Sequence, residues 1–146
     1  NAGSSKVHVG TVTASDEAVN RLSIRASSYK SPSNNSFTGY LQDALKTELA
    51  NARRIDQGSN VSIRAELQEN KLSGAVGTGS AHIKARFIVI RPEGAAFDKA
   101  VSVDHQWDSP FIGALGIPAA QSNYVVTVQK LLNKLFSDLD FQAAIK

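Results

Sequence analysis

Three stretches of this chain alternate apolar and polar residues over lengths that only extended strands can use. Val61, Ile63, Ala65 and Leu67 interleave with Ser62, Arg64, Glu66 and Gln68. Ala81, Ile83, Ala85, Phe87 and Val89 stand against His82, Lys84 and Arg86, and Val101, Val103, His105 and Trp107 against Ser102, Asp104, Gln106 and Asp108. A period of two sends each set to its own side of a pleated backbone, so each stretch predicts a strand with one dry face and one wet face. The connections are short: Arg91-Pro92-Glu93-Gly94 is a strong turn signal. Consecutive strands so joined pair antiparallel.

Two other stretches change period. Phe37, Tyr40, Leu41, Ala44, Leu45 and Leu49 recur at helical spacing, with Asn35 or Ser36 ahead of them as N-cap. Tyr124, Val128, Leu131, Leu132, Leu135 and Leu139 do the same behind a loop holding Gly113, Gly116 and Pro118, with Pro118 expected in the first turn. The tail from Asp140 to Ile145 is a final helical turn or a segment packed on the sheet. Near the start, residues 7–13 and 21–27 alternate as two further strands, and residues 29–35 read as a polar loop.

The predicted order is β-β-α-β-β-β-α. This is an α+β two-layer sandwich, a mainly antiparallel sheet of four to five strands with two amphipathic helices on one face. A chain of 146 residues, 42% hydrophobic, is long enough for one domain with a real core. Residues 7–146 are assigned to that domain and residues 1–6 to a flexible lead-in. The opening Asn1-Ala2-Gly3-Ser4-Ser5, with no methionine in the chain, reads as a trimmed start bearing a cloning remnant, from which a signal peptide or anchor has been removed.

Several chemistries find no footing in these residues. There is no cysteine, so disulfides, thiolate metal sites and thiol catalysis are out. The three histidines, His8, His82 and His105, lie far apart without metal-ligand spacing, and neither a metal nor another cofactor is expected. Ser73-Gly74-Ala75-Val76-Gly77-Thr78-Gly79-Ser80-Ala81-His82 is glycine-rich, but it has no Walker lysine and strands flank it on both sides. It reads as a strand connection, not a phosphate cradle. Asp104-His105 with Ser80, Ser102 or Ser109 makes a triad only on paper, because neighbouring strand residues face opposite ways and no GxSxG elbow is present. His105 is expected as a core or rim histidine, and no catalytic residue is assigned.

Two surfaces are left as candidate binding sites. The polar sides of the strands collect Arg21, Arg25, Arg64, Lys84 and Arg86 on one face of the sheet, which attracts an anionic partner unless Glu66, Glu69 and Asp104 neutralise it across strands. The loop from Asp108 to Pro118 carries Phe111, Ile112, Leu115 and Ile117, which either dock a partner or fold back over the core. The net charge of +3, from 16 Lys and Arg against 13 Asp and Glu, is spread along the chain, so nucleic acid is not an expected partner.

Gly39-Tyr40-Leu41-Gln42-Asp43-Ala44-Leu45 running to Arg53-Arg54, the Gly77-Thr78-Gly79-Ser80-Ala81 entry into a strand ending near Gly94, and the late Asp138-Leu139-Asp140-Phe141 carry a resemblance. From about Leu22 onward the chain resembles small bacterial envelope lipoproteins of the YajG type. The resemblance implies export, an N-terminal lipidated cysteine that this sequence lacks, and attachment to the outer membrane facing the periplasm. It supplies no site residues. The function it implies is a non-enzymatic periplasmic domain that binds another envelope component, whether protein, lipid or polysaccharide, with membrane contact only through the lipid anchor. The alternatives are an envelope hydrolase or acyltransferase using His105, and an auxiliary lipoprotein of a lipid or lipopolysaccharide transport system. A homo-oligomer formed through a sheet edge or through the 108–118 loop is the other partner expectation.

Overall fold

The computed structural model of the protein describes residues 6–25, 27–29, 31–32 and 36–146. The lead-in through residue 5, Ala26 and the Asn35 cap candidate lie outside the described residues.

The three alternating stretches form the long strands of the sheet, β4 (Ser62–Ser73), β5 (Gly77–Arg91) and β6 (Gly94–Ser109), paired antiparallel in that order. The first strand, β1 (His8–Ala14), lies beside β4 and runs parallel to it, giving a four-stranded mixed sheet in the order β1-β4-β5-β6. A parallel neighbour needs a crossover. Here it passes through a 3-10 turn (Glu17–Asn20), a small hairpin and helix α1 (Phe37–Asn51).

The hairpin corrects one expectation. The alternation over residues 21–27 does not add a strand to the sheet; β2 (Leu22–Ile24) turns at Arg25, whose φ is 48°, and pairs with β3 (Ser27–Tyr29) as a separate two-stranded ribbon. A left-handed backbone at a non-glycine residue ends a strand, and three residues on either side are too few to reach across the sheet.

Helix α1 starts where its residues direct. Ser36 Oγ accepts from the Gly39 N–H at 2.9 Å, and Asn20 Oδ1 takes the N–H groups of Phe37 and Thr38. Its Phe37, Leu41, Leu45 and Leu49 are buried. Helix α2 (Gly113–Phe136) begins five residues before Pro118, so the expected loop is shorter and the proline lies inside the helix. Helix α3 (Leu139–Ala144) is the final helical turn, capped by Asp138 Oδ1 on the Asp140 and Phe141 N–H groups.

α1 and α2 cover one face of the sheet, and the inward sets of its four strands merge with the helices' apolar stripes into one core. Tyr29, Phe37 and Tyr124 meet edge to face, with ring centres 5.2–5.9 Å apart. The Tyr124 hydroxyl donates to Asn70 Oδ1 at 2.9 Å, and Asn70 donates to the Val19 carbonyl. The opposite face of the sheet is open.

Candidate functional site

The open face is not the basic surface that the arginines predicted. Arg21 stands off the sheet and pairs with Glu17 of the 3-10 turn at 3.0 Å. Arg25 leaves the face with the β2 turn. Arg64, Lys84 and Arg86 remain on it, and acidic residues are set among them. Arg86 donates to both oxygens of Asp98 at 2.7 and 2.5 Å, which holds that carboxyl below its usual range.

His82 is the centre of this ladder. Its Nε2 donates to Glu69 Oε1 of β4 at 2.6 Å and its Nδ1 to Asp104 Oδ1 of β6 at 2.8 Å, so one ring ties three strands. A neutral imidazole donates from only one nitrogen, so this geometry belongs to the charged ring. The Glu69 carboxylate first, and Asp104 after it, raise the pKa of His82 above its ordinary value. Arg86 and His82 thus each sit beside a fixed anion, and the face presents mixed charge.

His105 lies on the helix side of β6. Its Nε2 donates to Asn123 Oδ1 at 2.7 Å, Lys130 Nζ donates to its Nδ1 at 2.8 Å, and the ring stacks on Trp107. Its two ring nitrogens are engaged by an amide and an amine, which supply neither a nucleophile nor an orienting carboxylate. Trp107 in turn lies flat on Gly79 of the next strand, where any Cβ would stand 2.2 Å from the indole. The glycine-rich stretch that opened the question of phosphate binding is therefore a turn plus a seat for a ring.

The apolar loop residues gather at one end of the sheet. Phe111 is 84% exposed, Ile112 63% and Leu115 58%, while Ile117 turns inward against the core. Val76, 50% exposed in the β4–β5 turn, lies at the same end, because Gly77 pairs with Ser109. Four large apolar side chains at one tip form a patch of the kind that marks interaction sites.

What holds this tip is Arg25, which the sequence had placed elsewhere. Its Nε donates to the Gly74 carbonyl at 2.6 Å, and its terminal nitrogens donate to Ser109 Oγ at 3.1 Å, to the Phe111 carbonyl at 3.3 Å and to the Pro110 carbonyl. One planar guanidinium ties the β4–β5 turn to the chain entering α2. Gly116 lets it in, since a Cβ there would stand 2.5 Å from the guanidinium. The signal was legible only in part: the glycine was visible in the sequence, but its partner 91 positions away was not.

With this geometry in view, the chain can be set beside known proteins. Protein XCC0632 of Xanthomonas campestris, described as DUF330, superposes with a TM-score of 0.63 at 13% identity, over 88% of this chain and 82% of that one. Its likeness is one of fold. CT253 of Chlamydia trachomatis gives 0.61 at 11% identity over 97% and 99% of the two chains, and a candidate lipoprotein of Caulobacter crescentus gives 0.55 at 16% over 75% and 84%. No protein-family model matches the chain, and no curated protein matches it. Among the described residues no helix is long and apolar enough to cross a membrane.

Proposed function

We propose that this chain is the non-enzymatic periplasmic domain of a lipoprotein anchored in the outer membrane, and that it binds another envelope component through its apolar tip. The observation that carries the reading is the exposure of Phe111, Ile112 and Leu115 on the short loop and first turn of α2 that Arg25 holds in place. Exposed apolar groups on a mobile loop can fold away from water; a fixed loop keeps them out, and burial against a partner recovers roughly 1.5–3 kcal/mol for each large side chain. The fold-level likeness to a candidate lipoprotein, and the resemblance to YajG-type lipoproteins in the sequence, support the envelope setting.

The test uses envelope vesicles. The purified domain should co-sediment with them, and the triple variant Phe111→Ser, Ile112→Ser, Leu115→Ser should lose most of that binding while melting as the wild type does. Vesicles stripped with protease separate the partners: binding lost on stripping means a protein, and binding retained means lipid or polysaccharide. Equal binding by wild type and triple variant would remove the tip as the contact.

A further inference from the structure

The two edges of the sheet are finished differently. β1 is seven residues long, carries a bulge at Gly10-Thr11, and has its Val12 N–H occupied by Gln42 Oε1 of α1 at 3.0 Å. Shortness, bulges and occupied edge groups are how a sheet refuses further strands. β6 is 16 residues long and pairs with β5 without interruption from Phe97 to Ser109. It contains no proline, and Asp98, Lys99 and Ala100 on it are exposed. Among the described residues no strand lies beyond it.

The ladder determines which groups β6 turns outward. The His8 and Ser15 N–H groups donate to the Val61 and Leu67 carbonyls, so these odd residues of β4 face β1 and the even ones between them face β5. Arg64 is opposite Ile88 and Glu66 opposite Arg86, which leaves the odd residues of β5 to bond β6, where Ala85 meets Val101 and Phe87 meets Lys99. The backbone groups of Asp98, Ala100, Ser102 and Asp104 therefore point away from the sheet. Lys134 of α2 agrees, reaching the Ser102 carbonyl at 2.8 Å from a solvent-accessible side chain that an incoming strand would displace.

We propose that two copies of this chain join through the free edge of β6, antiparallel about a two-fold axis at Ala100, into one continuous sheet. Charge complementarity points to a second copy as the occupant and, among the axes from Asp98 to His105, which pair nine or more residues of each strand, selects the register. In such a pair, residues equally spaced on either side of the axis face each other. An axis at Asp98, Lys99 or Asp104 sets that residue on its own copy; one at Val101 sets Asp98 on Asp104, and one at Val103 sets Asp98 on Asp108. An axis at Ser102 brings the two Lys134 amines together, and one at His105 does the same with Lys130, which sits 2.8 Å from His105.

At Ala100 none of this occurs. Asp98 faces Ser102, and Lys99, already held by Asp138 and Asp140 at 2.7 and 3.5 Å, faces Val101. Lys134, at Ser102, then comes beside the Asp138 and Asp140 carboxylates of the other copy. Symmetry makes that contact twice.

Sedimentation velocity over a concentration series, with melting followed by circular dichroism, tests this. The wild type should self-associate. Ala100→Pro should be monomeric with unchanged melting, because the Ala100 N–H has no strand partner in the single chain. Lys134→Glu and Asp140→Lys should each weaken association by about tenfold or more, and the double variant should recover it. A wild type that stays monomeric at its highest soluble concentration overturns the proposal. A double variant no better than its singles overturns the register, and with it the dimer described here.

Discussion

The two ends of the sheet use the same device to opposite effect. At one end Arg54 donates to the Ile145 carbonyl at 2.7 Å, and Arg91 donates to those of Ala144 and Lys146 at 2.9 and 3.0 Å. These arginines pull the C-terminal segment in, and Phe141, Ala144 and Ile145 are buried there, with Phe141 edge to face against Phe97 and Phe136. At the other end Arg25 grips carbonyls in the same way, but the side chains that follow, Phe111 and Ile112, face outward. Guanidinium-to-carbonyl bonds fix a backbone without deciding what it presents. What differs is which side chains the fixed backbone aims inward, and the outward aim at the Arg25 end is what the proposed contact rests on.

The sharpest break of this comparison comes from a pair of phenylalanines. Phe141→Ala should cost about 4 kcal/mol in chemical denaturation, since a fully buried ring leaves a cavity. Phe111→Ala should change stability by less than about 0.5 kcal/mol. Equal losses would mean that the tip is part of the core. The arginines come next. Arg25→Leu removes the donor from the half-buried Pro110 carbonyl and the stronger of two donors from that of Gly74, and should cost about 2 kcal/mol, against about 1 kcal/mol for Arg91→Leu, whose acceptors lie at the chain end. Gly116→Ala should follow Arg25→Leu in direction, because the new methyl displaces the guanidinium; a stability unchanged from wild type would remove the clamp from the account of the tip.

The smallest effect concerns pH. The pKa of His82 is raised by Glu69 and Asp104, so its contribution to stability is fully present below the ordinary histidine value near 6.5 and is lost as pH rises through the folded-state value. Proton titration of the imidazole by NMR should give a value above the ordinary one, and Glu69→Gln should move it back down. An unshifted His82 would dissolve the three-strand bridge.

Much of the fold was legible beforehand because strand and helix periods are local properties. The alternation of Val61 to Leu67, Ala81 to Val89 and Val101 to Trp107 appears unchanged in β4, β5 and β6, and Ser36 caps α1 as its side chain allows. The candidate site was legible in half. Phe111, Ile112 and Leu115 could be picked out as an apolar run, but their outward aim could not, since Ile117 in the same run turns inward. Arg21 and Arg25 were misplaced for one reason: alternation predicts a strand but not the sheet it joins, and a single left-handed residue at Arg25 ended this one early.

By itself the sequence determined the α+β class, the strand and helix faces, and the glycine-rich stretch as a strand connection. Only the tertiary structure decided that β1 lies parallel beside β4, that Arg86 and His82 of the open face meet carboxylates, and that Arg25 clamps a tip it is far from in sequence. The physical reason is range. Periodicity and propensity act over a few residues, whereas pairing register and guanidinium contacts join residues dozens of positions apart and exist only once the chain has closed on itself.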